Sequence, residues 1–176
     1  MPMPEVPRIR IAREDELRAI REIEFACEQR FVDAGIGFGP RADPAVIPEA
    51  YRASCRDGAL LVAVDAGDRP IGFAVLDAVD GATHLAELDV SPSVQGRGVG
   101  TLLIEAVCGF ALGRGHRAVT LTTFREVRWN GPYYVSRGFV VLDPATVGPG
   151  LAAILADEDR RGLEGRCAMR RTVGGR

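Results

Sequence analysis

The chain has 176 residues, 47% hydrophobic and 26% charged, with a formal net charge of −2. That length suits one domain with a full hydrophobic core and is hardly enough for two, and the composition is that of an ordinary globular protein. The slightly acidic balance speaks against a nucleic-acid binder, no apolar run reaches the ~18 residues of a membrane span, and the start MPMPEVPRIR lacks the apolar stretch of a signal peptide, so the expected compartment is the cytoplasm.

In chain order, RIRIAR (Arg8 to Arg13) alternates charged and apolar residues, as a strand with one buried face does. EDELRAIREIEFACEQRF follows with Leu17, Ile20, Ile23 or Glu24, Cys27 and Phe31 at helical spacing, its acidic start suited to the positive end of a helix dipole. VDAGIGFGPRADP breaks that pattern with glycine and proline and reads as a loop. AVIPEAYRASCRDG reads as a short second helix stopped by Gly58. From there the period changes to two, giving strands near Ala59–Asp65, Pro70–Val79 and Thr83–Val90. The separators AGDRP and DG are turn chemistry, so these three strands should form an antiparallel meander.

LDVSPSVQGRGVGTLLIEAV comes next, with Gly96, Gly98 and Gly100 at alternate positions ahead of a helix. That helix should bury Val99, Leu102, Leu103, Ala106, Val107 and Phe110 and end near Gly113 or Gly115. RAVTLTTF is a further strand, and a helical crossover between two strands implies parallel pairing. NGPYYVSRGF reads as a short helix closed by Gly138, followed by the strand FVVL. GPGLAAILADEDRRGLEG has a helical core whose carboxylates read as a solvated face, and RCAMRRTV supplies a candidate final strand. The expected architecture is one α+β domain over 1–176, with a mixed sheet of about six to seven strands flanked by helices.

Cys27, Cys55, Cys108 and Cys167 lie far apart with no CxxC, and His84 and His116 are isolated. That spacing predicts reduced, mostly buried thiols and no metal site. All 22 basic residues are arginine.

Three phosphate-binding patterns compete for Gln95–Thr101. The dinucleotide fingerprint GxGxxG would need glycine at Thr101 or Leu103, and the P-loop needs a lysine that the chain lacks. Q-x-x-G-x-G, Gln95 to Gly100, does fit. Glycines there let successive backbone N–H groups point into one concavity, to which the helix N-terminus adds partial positive charge, although a turn with no ligand would use the same residues.

LAELDVSPSVQGRGVGTLLI followed by WNGPYYVSRGFVVL resembles the GNAT superfamily of acyl-CoA-dependent N-acyltransferases. The resemblance lies in the strand leading to Q-x-x-G-x-G, then Asn130, then Tyr134, Gly138 and Phe139 as Tyr-x-x-x-Gly-Phe, and it covers roughly Ala59 to Leu142. It leaves a helical insertion and final strand, about 145–173, unassigned. The resemblance implies a GNAT-like fold and acetyl-CoA as cosubstrate, without a metal. It further implies that Gln95, Gly96, Arg97, Gly98, Val99, Gly100 and Thr101 form the pyrophosphate turn. Leu88, Asp89 and Val90 would offer backbone groups to the pantetheine arm, and Asn130 would hold its far end.

By the same resemblance Tyr134 meets the cofactor and is the candidate acid that protonates the departing thiolate, while Glu87 is the candidate base. Alternation puts Glu87 and Asp89 on one face of their strand. His84 is a poorer candidate for the base and reads as a strand-edge histidine, and Tyr133 reads as structural or substrate-facing. Phe31, Phe38 and Arg41 would shape the acceptor pocket or equally serve packing, and Arg125 and Arg128 would pair with anionic groups of the acceptor or of CoA, or face solvent.

The implied activity is N-acetyl transfer from acetyl-CoA to a primary amine by direct attack in a ternary complex. No cysteine falls at a motif position that would suggest an acyl-enzyme. The competing reading is a non-catalytic acyl-CoA-binding regulatory module. The expected partners are a small-molecule or peptide amine and, from family habit and the exposed late strand, a second copy of the chain, with neither nucleic acid nor membrane.

Overall fold

The computed structural model describes residues 6–37 and 43–174. Phe38 and Arg41, expected to shape an acceptor pocket, lie outside the described residues. The elements are β1 (Arg8–Ile11), α1 (Leu17–Asp33), α2 (Glu49–Arg56), β2 (Leu60–Val64), β3 (Pro70–Val79), β4 (Ala82–Val90), α3 (Val99–Gly113), β5 (Ala118–Phe124), α4 (Gly131–Val135), β6 (Val140–Val141), α5 (Pro149–Arg160) and β7 (Arg166–Thr172). The strands form one seven-stranded mixed sheet in the order β1-β2-β3-β4-β5-β7-β6. The fold is thus α+β, as the sequence suggests. Its residues group into two compact units, 6–36, 43–76 and 87–106 in the first, 37, 77–86 and 107–174 in the second.

In the first unit β1 pairs antiparallel with β2, and β2 with β3. Leu60, Val62 and Val64 of β2 join Phe73 and Val75 of β3, Leu17, Ile20, Ile23 and Cys27 of α1 and Tyr51 of α2 in one apolar cluster. β2 is buried at every position, so LLVAV is a strand covered on both faces. The acidic start of α1 does more than complement the dipole. A 3₁₀ turn at Glu14–Glu16 precedes the helix, and the buried Glu16 carboxylate accepts from the Arg13 amide (2.8 Å) and both Arg10 Nη atoms (2.9 and 2.6 Å).

In the second unit Asp80 and Gly81, both at positive φ (50° and 75°), make the tight turn read from DG. β4 pairs in parallel with β5 through Thr83↔Val119, His84↔Thr120 and Leu85↔Leu121. β7 then pairs antiparallel with both β5 and β6. The segment after Leu142 is built onto this frame. The Asp80 carboxylate caps α5, accepting from the Gly150 and Leu151 amides at 2.8 and 2.9 Å. A Cβ on Gly150 would stand 2.8 Å from Asp80 Oδ1, so glycine lets the helix end approach the turn.

Two expectations about helix faces need correction. In α3 the buried positions are Val99, Leu103, Ile104, Val107, Cys108 and Ala111, whereas Leu102, Ala106 and Phe110 are only half-buried. The helix is apolar nearly all round, so its period alone left the rotation open by about one residue. In α5, Asp157 and Asp159 are exposed as expected, but Glu158 is buried and accepts at 2.6 Å from both Thr122 Oγ1 and Arg166 Nη2. Glu158→Ala would leave the half-buried Arg166 guanidinium without its counter-charge. It should lower unfolding free energy by about 3–5 kcal/mol in denaturant titration, and a variant as stable as wild type would show the pair to be of no structural consequence.

Candidate active site

The parallel ladder between β4 and β5 stops at Leu85↔Leu121, although β4 runs on to Val90. The candidate residues Glu87, Leu88, Asp89 and Val90 all lie on this continuation, in the first unit. A glycine of β3 lies against them: a Cβ on Gly72 would sit 2.9 Å from the Asp89 carbonyl and 3.3 Å from Leu103. That role was not read from the sequence, where Gly72 is one small residue within an apolar strand.

After β4 the chain makes a 3₁₀ turn at Pro92–Val94 and enters the glycine turn. Gly96 and Gly98 stand at φ 76° and 85°, in the left-handed region that disfavours any side chain. No described atom lies within 4 Å of where their Cβ atoms would be, so the turn is open on that side. Gly100 lies in the first turn of α3, where Leu102 donates the first helical bond back to the Gly98 carbonyl (3.1 Å). The N–H groups of Val99, Gly100 and Thr101 therefore precede the helical ladder and add to the positive end of the dipole. Val99 contributes only backbone, its side chain being buried, and Arg97 is exposed.

The Gln95 side chain is turned inward rather than toward the open side. Its Nε2 donates to the Val90 carbonyl (2.9 Å) and its Oε1 accepts from Arg30 of α1 (3.3 Å). The Cys27 thiol donates to the same carbonyl (3.2 Å), so α1, the end of β4 and the turn are tied together at Val90.

Glu87 and Asp89 share surroundings with Glu24 and Glu28 of α1 and Tyr51 of α2. Burial pushes the Asp89 carboxyl well above the usual carboxylate range, and the charges of Glu87, Glu24 and Glu28 push the same way. Tyr51 and Cys27 are likewise driven up, first by burial and then by these acidic neighbours.

In the second unit Tyr134 is buried (8% exposed), its ring edge-on to Phe139 (5.6 Å between centroids) and Tyr133 (5.4 Å). Its amide donates to the Asn130 carbonyl (2.9 Å), and Phe139 and Arg137 donate back to its own carbonyl. The Asn-Gly-Pro-Tyr segment is therefore one closed unit with Tyr134 inside. Gly131 is required there, because a Cβ would run into the Arg125 carbonyl. Asn130 Oδ1 is buried and accepts no hydrogen bond among the described residues. Arg137 lies over the Tyr133 ring at 5.2 Å, which gives Tyr133 a packing role, and Arg125 and Arg128 are exposed.

His84 is not an edge residue. It is 3% exposed on a strand with neighbours on both sides, its Nδ1 3.1 Å from Thr120 Oγ1, and burial lowers its pKa. It is an interior group, hydrogen-bonded within the sheet to β5.

Residues 17–139 match the model of the Acetyltransferase (GNAT) family. Among solved structures, the chain is similar to N-acetylglutamate synthase from Neisseria gonorrhoeae complexed with coenzyme A and N-acetyl-glutamate (TM-score 0.72, 18% identity), covering 97% of this chain and 36% of that one. It thus spans about a third of that protein's length. It is also similar to a GNAT-family acetyltransferase from Staphylococcus aureus Mu50 (TM-score 0.69, 14% identity, 96% of this chain and 100% of that one). PaiA N-acetyltransferase from Thermoplasma acidophilum, in complex with coenzyme A, gives a TM-score of 0.65 at 17% identity, covering 96% of this chain and 99% of that one. These structures share the fold. The chain belongs to the GNAT acetyltransferase family. Among the described residues no helix is long and apolar enough to cross a membrane.

Proposed function

We propose that the protein transfers the acetyl group of acetyl-CoA to a primary amine, on a small molecule or a peptide, by direct attack in a ternary complex. The observation that carries this reading is the open glycine turn, Gly96 and Gly98 in left-handed conformation ahead of α3, in a chain of this family. The residues present fit such a ligand. A cradle of N–H groups that added side chains would fill suits a pyrophosphate, and the buried, unanswered Asn130 Oδ1 suits an amide donor such as pantetheine carries.

In this reading the backbone of Gln95, Gly96, Arg97, Gly98, Val99, Gly100 and Thr101 holds the phosphates. Backbone groups of Leu88, Asp89 and Val90 hold the pantetheine arm, and Asn130 its far end. When bound, acetyl-CoA supplies a thioester activated for acyl transfer. An amine of pKa ~10.4 lies about three units from losing its proton at pH 7, a deficit of roughly 4–5 kcal/mol. Glu87 takes that proton, and a backbone N–H near Val90 steadies the developing oxyanion. Tyr134 gives a proton to the leaving thiolate.

The test is release of free CoA from acetyl-CoA with a panel of primary amines, from small monoamines and polyamines to peptide N-termini. Amine-dependent release following saturation kinetics is the expected result. Tight acetyl-CoA binding with no release across the panel would favour the regulatory module instead.

A further inference from the structure

Arg125 donates to the Gly165 carbonyl, so the odd-numbered residues of β5 turn their backbone groups toward β7 and the even-numbered ones turn theirs toward β4. The parallel ladder with β4 ends at Leu85↔Leu121. In a regular ladder the next rung would bring the Glu87 amide to the Thr122 carbonyl. That carbonyl accepts instead from Arg166 Nη2 of β7, at 3.1 Å. Arg166 reaches it across the strand. Phe124 and Arg166 are opposite each other in register without mutual backbone bonds, an arrangement that brings side chains close, and the guanidinium lies 4.7 Å from the Phe124 ring centroid. The same Nη2 donates to Glu158 Oε1 (2.6 Å) and to Thr122 Oγ1 (3.3 Å), and Thr122 Oγ1 donates in turn to Glu158 Oε1 (2.6 Å). An arginine and a carboxylate left to themselves favour a two-pronged pair. Here every bond runs through one nitrogen and one oxygen, and Arg166 Nε and Glu158 Oε2 stay buried without partners among the described residues. The guanidinium is thus turned to serve the Thr122 carbonyl, and half its pairing with Glu158 is given up.

We propose that Arg166, aimed by Glu158, is a positioning residue that stands in for the next β4 amide at the Thr122 carbonyl, ends the ladder there and keeps this edge of β5 clear for the acyl-CoA arm. What uses the edge rests on the function proposed above. The capping itself rests on bonds within the second unit alone. A guanidinium holding that carbonyl denies β4 its next rung. Each rung gained would extend the parallel pairing toward Val90 and take up the backbone groups of Leu88, Asp89 and Val90 on which the arm would depend. Both Glu158 and Arg166 lie outside residues 17–139, the span of the family match, so the segment after Leu142 gains a part in the site that the shared motifs do not describe.

The test uses the full chain with both charges removed. Arg166→Met alone would leave the Glu158 carboxylate buried without a counter-charge, whereas Arg166→Met combined with Glu158→Gln removes the pair together and should fold. In protein labelled with ¹⁵N and ¹³C, a coupling through a hydrogen bond from the Glu87 amide nitrogen to the Thr122 carbonyl carbon is expected in the double variant and not in wild type. A part played only in stability would lose bonds and create none, so a double variant without that coupling would overturn the capping role. In calorimetric titration the Kd for acetyl-CoA should rise about tenfold, as when the binding-competent state falls to roughly a tenth of the molecules. Unchanged affinity beside the new rung would overturn the positioning role. Wild type that binds no acetyl-CoA would overturn the functional reading instead, and the coupling would still decide whether Arg166 ends the ladder.

Discussion

Tyr134→Phe is expected to lower kcat by about 10²- to 10³-fold while leaving KM for acetyl-CoA within about twofold of wild type. The substitution is nearly isosteric. It keeps the edge-on contacts with Phe139 and Tyr133 that hold the ring in place, and it leaves the backbone bonds between Asn130, Tyr134 and Phe139 untouched. What it removes is one hydroxyl on a residue only 8% exposed. A residue that merely packs would answer with a small change in stability and none in turnover. Steady-state kinetics on purified Tyr134→Phe separates the two, and undiminished kcat would rule out the acid role.

Gly100→Leu should weaken acetyl-CoA binding by about 100-fold or more, which is ~2.7 kcal/mol, while the free protein unfolds at or above the wild-type temperature. Gly100 is helical, so a leucine there meets no backbone penalty and raises helix propensity by up to about 1 kcal/mol. Its side chain would nonetheless stand in the first turn of α3, where the phosphates are to approach. Gly98 is a poorer place to ask this question. At φ 85° a valine would itself cost ~1–2 kcal/mol, so Gly98→Val should lower both free-state stability and ligand affinity. Calorimetric titration with acetyl-CoA alongside thermal unfolding distinguishes the two variants. Unchanged affinity in Gly100→Leu would remove the turn from the binding site.

These two variants probe residues that local pattern makes legible. A left-handed glycine, a two-residue Asp-Gly turn and a helix following directly are written in four to six consecutive residues. That is why the β2–β3–β4 meander, the glycine turn and the order of later elements could be read before any coordinates. The parallel β4–β5 pairing followed from the length of the crossover. What the sequence did not disclose depends on partners distant along the chain. Glu158 is buried because Arg166 and Thr122 lie beneath α5, and an ADEDRR run carries no mark of which carboxylate will face them. His84 reads as a strand-edge residue until β4 is known to have neighbours on both sides. The buried stripe of α3 was misjudged because an apolar surround gives the period nothing to lock onto.

The candidate site divides in the same way. The glycines of its turn stood out by their spacing, since the conformations they need are local, whereas the backbone roles of Leu88, Asp89 and Val90 came only from the family resemblance. Its side-chain chemistry was not legible there. Gln95 was placed in the pyrophosphate turn by resemblance, and its side-chain amide spans from the Val90 carbonyl to Arg30, sixty-five residues away along the chain. Asp89 was read only for its backbone. Its carboxyl is pushed up in company with Glu24 and Glu28 of α1, and no spacing rule anticipates which distant acidic residues a strand carboxylate will meet.

The central claim, that the glycine turn binds an acyl-CoA, is tested most directly by thermal unfolding of the purified protein with acetyl-CoA, CoA, ATP and NAD in parallel. A ligand at about 100 times its Kd adds roughly 2.7 kcal/mol, which for a domain of this size raises Tm by roughly 5–11 °C. The account predicts that rise with acetyl-CoA and CoA and none with NAD or ATP. A shift with NAD or ATP alone, or no shift with either coenzyme, would contradict it.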